Sequence, residues 1–158
     1  MAFGSLSVKG RALRYLARRE HSRAELEAKL ARHVDDTPQA SAAARIAAAL
    51  DELSAHGLID EARVAASVLN SLAPRYGERR LKQTLQSKGL DPELVAATLQ
   101  QARGSEFERA RDIWRRRFGA PPVDAGERAR QMRFLAGRGF DGDVIRRVVQ
   151  AKVDDDGL

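Results

Sequence analysis

A chain of 158 residues is long enough for one ordinary domain or a few small repeated units. It holds no cysteine, which excludes disulfides, thiolate metal sites and thiol nucleophiles and fits a reducing compartment. Twenty-eight Lys plus Arg against 22 Asp plus Glu give a net charge of +6 and a pI near 10.3, a balance that favours a polyanionic partner, most often nucleic acid.

The first helical pattern runs from Leu6 to Arg19. Leu13, Leu16 and Ala17, with Tyr15 beside them, form its apolar stripe, and Arg11, Arg14, Arg18 and Arg19 crowd the rest. Ser22-Arg23-Ala24-Glu25 has the form of a capping box, in which hydroxyl and carboxylate satisfy each other's backbone amides. The helix it opens carries Leu26 and Leu30. His33 to Gln39 is a loop, with Asp35, Asp36, Thr37 and Pro38 as breakers. A third helix spans Ser41 to Ala55, with Ile46, Leu50 and Leu53 on one face, and Gly57 ends it. Asp60 caps the fourth helix, Ile59 staples onto it, and Ala65, Val68, Leu69 and Leu72 line its inner side until Pro74.

From Tyr76 to Leu99 the chain reads helix, glycine stop, capped helix. Leu81 and Leu85 mark the apolar side of the first, Gly89 stops it, and Asp91 with Pro92 opens the next. Leu94, Val95, Thr98 and Leu99 face a core. Ser105-Glu106-Phe107-Glu108 looks like a second capping box, and Phe107, Ala110, Trp114 and Phe118 follow helical spacing. Gly119 to Gly126 is a loop. Asp124 and Glu127 cap an eighth helix carrying Met132 and Leu135, and Asp141 opens a ninth that buries Val144, Ile145, Val148 and Val149.

The stretch from Phe134 to Gln150 repeats the earlier one: Leu85 pairs with Leu135, Gly89 with Gly139, Leu90 with Phe140, Asp91 with Asp141 and Val95 with Ile145. The expected fold is therefore all-α, three tandem three-helix repeats, in an elongated or curved body because small units pack end to end. The repeats are placed at 1–57, 58–103 and 104–153, followed by an acidic tail at 154–158. No run of about 18 apolar residues occurs, so no membrane span is expected. Met1 to Gly10 lacks the apolar core of a signal peptide, and a cytoplasmic monomer is the simplest expectation.

No catalytic constellation stands out. His21, His33 and His56 lack metal-ligand spacing and are expected to be solvated or capping; no metal or cofactor is expected. Neither GxxxxGK[ST] nor a strand-following GxGxxG is present, and Gly137-Arg138-Gly139 reads as a helix stop. Asp154, Asp155 and Asp156 read as a frayed tail rather than a cation site. The basic clusters are the better lead. Arg75, Arg79, Arg80 and Lys82 surround Tyr76; Arg115, Arg116 and Arg117 follow Trp114; Arg128, Arg130 and Arg133 lie on the eighth helix; Arg138, Arg146 and Arg147 come after. A single cluster is more often a solvated face, but several recurring along stacked repeats can follow a long polymer. Tyr76, Trp114 and Phe118 are weighted toward packing rather than base stacking.

Four segments resemble the RecX family of bacterial recombinase regulators: ALRYLARREHSRAELEAKL (Ala12 to Leu30), LDELSAHGLIDEARVAASV (Leu50 to Val68), YGERRLKQTLQSKGLDPELV (Tyr76 to Val95) and FLAGRGFDGDVIRRVV (Phe134 to Val149). They stand in family order, and YLxxRxxSxxEL is the most specific. The resemblance implies three tandem three-helix repeats, no enzymatic activity, and binding to the RecA recombinase filament on single-stranded DNA. It further implies damping of ATP hydrolysis, strand exchange and filament growth, in DNA repair and the SOS response. Val64 stands where many relatives carry an aromatic residue, which suggests local repacking.

The expected contacts with filament or nucleic acid are Arg75, Arg79, Arg80, Lys82, Arg115, Arg116, Arg117, Arg130, Arg133, Arg138 and Arg146. The alternative is an independent helix-turn-helix nucleic-acid-binding regulator. Against it, no single helix stands out as a recognition helix.

Overall fold

The computed structural model describes residues 5–150, and the acidic stretch Asp154 to Asp156 lies outside them. Among the described residues the chain forms nine α-helices and no strand. They are α1 (Val8–Leu16), α2 (Arg23–Ala31), α3 (Ala42–Ala55), α4 (Glu61–Leu72), α5 (Glu78–Ser87), α6 (Pro92–Arg103), α7 (Glu106–Arg117), α8 (Ala125–Gly137) and α9 (Gly142–Gln150). Two compact units result. One takes the chain up to Ser67 together with Ser87–Asp91; the other takes Val68–Gln86 and the chain from Pro92 onward.

In the first unit, α1, α2 and α3 close on Ala12, Leu26, Leu30, Val34, Ile46, Leu50, Leu53 and Ile59. The stripe on α1 is not the expected one. The Ser7 hydroxyl accepts from the Gly10 amide at 3.0 Å and so sets where the helix begins. From that start Val8, Ala12, Tyr15 and Leu16 share the inner face, while Leu13 and Ala17 are exposed. The small Ala12, fully buried, lets the neighbouring helices approach closely.

The capping box at α2 forms as its sequence promises: the Glu25 amide donates to Ser22 Oγ at 3.1 Å, and the Ser22 amide to Glu25 Oε1 at 3.2 Å. The same carboxylate takes the Arg19 guanidinium at 2.7 Å and the Lys88 ammonium at 3.2 Å. Burial alone would raise its pKa; the hydrogen bonds from Arg19, the Ser22 amide and Lys88 outweigh it and lower it to about 2. His21, expected at the surface, is instead 2% exposed. Its Nδ1 donates to the Arg19 carbonyl at 3.0 Å and its Nε2 accepts from the Lys29 ammonium at 2.8 Å, which only a neutral ring can do. Burial is the main force that pushes its pKa below the ordinary value, against the pull of the Arg19 carbonyl.

In the second unit, α7, α8 and α9 close on Ala110, Ile113, Trp114, Leu135, Phe140, Ile145, Val148 and Val149. Gln131 is fully buried among them. Its Oε1 accepts from the Trp114 indole at 2.8 Å and its amide donates to the Ala120 carbonyl at 3.1 Å, so both buried polar groups are satisfied.

One arrangement occurs twice. At the start of α2, the Arg23 amide donates to Glu61, the first residue of α4, at 3.2 Å, and the Ser22 hydroxyl donates to the Lys88 carbonyl in the α5–α6 turn at 2.6 Å. Three helices on, the Glu78 amide donates to Glu106, the first residue of α7, at 3.3 Å. There the Gly77 amide donates to the Arg138 carbonyl in the α8–α9 turn at 2.8 Å, and the Arg79 amide to the Gly139 carbonyl at 3.1 Å. The second joint is so close that a Cβ on Gly77 would lie 2.5 Å from the Phe140 backbone. Gly139 has φ +88°, the left-handed region a glycine tolerates. The expected capping box of Ser105 with Glu108 does not form. Ser105 makes no cap bond and donates to the Ala102 carbonyl at 3.2 Å, while Glu106 is buried beneath α5.

Two outcomes are expected. Glu25 has its carboxyl lower in the folded chain than in the unfolded one, so its stabilisation is full above about pH 4.3 and is lost as pH falls toward 2. Urea titrations should show that Glu25→Gln costs on the order of 2 kcal/mol at pH 7 and little at pH 2.5. Gln131→Leu leaves the indole N–H of Trp114 without a partner, and should lower stability by roughly 1–3 kcal/mol.

Candidate polyanion-binding surface

The second joint determines where the arginines of the second unit gather. It sets Tyr76 and the first turn of α5 beside the α8–α9 turn. Three guanidiniums then meet one ring: Arg75 at 5.8 Å, Arg80 at 5.2 Å and Arg138 at 5.6 Å from the Tyr76 centroid. Arg138 is shared, lying also 5.3 Å from the centroid of Phe134. Phe134 carries Arg117 at 5.5 Å and meets Phe118 edge-on at 5.4 Å; Phe118 carries Arg130 at 5.7 Å. The result is a continuous ladder of five arginines on three rings. Arg117, Phe118, Arg130, Arg133 and Phe134 also line a groove of about 440 Å³.

The remaining expected contacts are placed differently. Arg79 donates to the Ala136 carbonyl at 3.2 Å, and with Lys82, Gly139 and Phe140 it lines a groove of about 540 Å³. Arg116 donates to the Asp112 carbonyl of its own helix at 3.3 Å. Arg115 is exposed on α7. Arg146 is ion-paired with Asp143 on the first turn of α9, away from the ladder's rings. Thus Arg75, Arg80, Arg117, Arg130 and Arg138 form one array with Arg133 at its edge, and Arg115, Arg116 and Arg146 stand outside it.

Sequence reasoning gave Phe134 no part in this array and weighted Phe118 toward the core; both are half-buried. A signal existed for Phe134, since Phe134 and Arg138 are four apart on a helical pattern and Arg130 is four before. It also missed Arg109. That guanidinium is half-buried and donates to the carbonyls of Ala73 at 2.6 Å, Tyr76 at 2.7 Å and Ala102 at 3.2 Å, and to Ser105 Oγ at 3.1 Å. Burial pushes its pKa down, with nearby Glu106 acting against that, and arginine remains a cation. It holds the backbone of Tyr76 from beneath while the joint holds it from the side.

Arg109→Leu should therefore take the guanidinium from the Ala73 and Tyr76 carbonyls, Ala102 keeping its bonds from Ser105, and cost about 3 kcal/mol in urea unfolding. Arg109→Lys should recover only part of this, because an ammonium has no planar fork to span them.

Residues 9–37, 60–99 and 105–149 match the models of the first, second and third three-helix domains of RecX. The Regulatory protein RecX of Leptothrix cholodnii is 53% identical over 145 residues, which covers 92% of this chain and 88% of that protein. That of Ralstonia nicotianae is 44% identical, covering 92% of this chain and 87% of its own. Among solved structures, RecX from Lactobacillus salivarius has a TM-score of 0.73 over 91% of this chain and 93% of that one, at 21% identity, a likeness of fold. By its three matched domains and its relatives, the chain belongs to the RecX family of regulatory proteins.

Proposed function

We propose that this chain binds the RecA filament assembled on single-stranded DNA and lowers its ATP hydrolysis, strand exchange and growth. It does so by stoichiometric binding, as a cytoplasmic monomer, with no chemistry of its own. Membership of the RecX family supports a regulatory part in recombination. The observation that carries the contact is the arginine ladder on Tyr76, Phe134 and Phe118: it gathers positive charge on one surface of the second unit. Phosphates and carboxylates both suit such charge. The three repeats at 1–57, 58–103 and 104–153 offer equivalent surfaces to a periodic partner.

Among the described residues no helix is long and apolar enough to cross a membrane, and no cluster of His, Asp or Glu is arranged to hold a metal.

ATP hydrolysis by RecA on single-stranded DNA should fall as the protein approaches filament stoichiometry. Reversing the charge of Arg117, Arg130 and Arg138 together should raise the concentration for half-inhibition by roughly tenfold or more. Unchanged hydrolysis, together with sequence-selective duplex binding, would instead favour a helix-turn-helix regulator.

A further inference from the structure

We infer that the arginine–aromatic ladder is a stacking site for the bases of single-stranded nucleic acid, which lie on the outward faces of guanidiniums held over Tyr76, Phe118 and Phe134. This deepens the polyanion contact proposed above for the same surface and rests on that reading.

Several arginines elsewhere are matched to acids: Arg19 with Glu25, Arg23 with Asp51, Arg63 with Glu20, Arg103 with Glu78 and Arg146 with Asp143. The ladder's arginines are held on rings instead. Among the described residues, no carboxylate forms an ion pair with Arg75, Arg80, Arg117, Arg130 or Arg138. Three guanidiniums converge on the Tyr76 ring, so their mutual repulsion is relieved by an anion that arrives from outside. Charge complementarity thus calls for an anionic partner, and the rings say which.

A guanidinium is planar, weakly hydrated and able to stack on both faces. The guanidinium carbons of Arg75, Arg80, Arg117 and Arg130 lie over rings and these residues are exposed, so a planar partner can reach them from solvent. Much of the ordering of these long side chains is already done before the partner binds. Carboxylates on an acidic protein engage the N–H edges of the fork and gain nothing from its plane. Unpaired bases use the plane, while the N–H edges remain for the flanking phosphates. The bases of a duplex are stacked on each other and cannot reach the plane, so the site favours single strands.

The test uses the full chain and no recombinase, so it is independent of the ATPase assay. Fluorescence anisotropy would compare an oligothymidylate of twenty nucleotides with an abasic strand of the same phosphate count. The oligothymidylate should bind roughly tenfold tighter. A variant with Arg117→Lys, Arg130→Lys and Arg138→Lys keeps every charge, and its fold is checked by circular dichroism. It should lose that advantage, with abasic binding and the salt dependence unchanged. Tyr76→Leu should reduce the advantage on its own. Equal affinity for the two strands, or an advantage that survives in the lysine variant, overturns the inference. So does polyglutamate competing as well as the oligothymidylate, which would point to an acidic protein surface. If the base advantage holds but RecA hydrolysis is untouched, the stacking site stands and the filament reading falls.

Discussion

The structure hangs on a carboxylate that caps a helix it does not belong to. A helix start leaves amides without partners, and these are usually met by the residue just before them. Here the first amide of α2 is met by Glu61 and that of α5 by Glu106, each the opening residue of a helix two elements further on. The turn after the next pair of helices closes the joint from the other side, through Lys88 in one case and Arg138 with Gly139 in the other. Each middle helix is thus completed by the following repeat. That explains why the compact units cut across α4 and α5 instead of falling between groups of three.

The two joints are not equal. Three residues after Glu106 stands Arg109, whose guanidinium ties together the carbonyls of Ala73, Tyr76 and Ala102. Three residues after Glu61 stands Val64, buried and apolar, and Glu61 Oε2 is buried with no hydrogen-bond partner. The first joint depends instead on Ser22 and on the Glu25 carboxylate, with Arg19 and Lys88. Removing solvent from a charge is costly unless it is paired. Glu25 meets that condition fully, and Glu61 meets it with one oxygen only. The tighter joint is the one that carries the arginine ladder.

Most of the helices were legible because their signals are local. Ser22 with Glu25, Asp60 and Asp124 accept amides where the sequence places them. The echo of Gly89 in Gly139 revealed the repeat. What failed was non-local. Ser105 to Glu108 has the letters of a capping box, but Ser105 makes no cap bond, and the neighbouring Glu106 serves a helix start 28 positions earlier. His21 and Gln131 look like surface residues until partners close over them. On α1 a one-residue change of phase exchanged Leu13 for Ala12, since alanines and leucines are dense enough there to fit either stripe. Among the basic residues, charge clustering was visible but its organisation by rings was not. Arg146 and Arg138 are equally basic in sequence; one is spent on Asp143 and the other joins Tyr76 to Phe134.

If the joint organises the binding surface, the link between α5 and the α8–α9 turn must be as durable as the core behind it. Native-state hydrogen exchange at the Gly77 and Arg79 amides, which donate to Arg138 and Gly139, measures this directly. The expected result is exchange only through global unfolding, at the rate of amides around Trp114 and Leu135. Exchange by local opening, with those core amides still protected, would contradict the account.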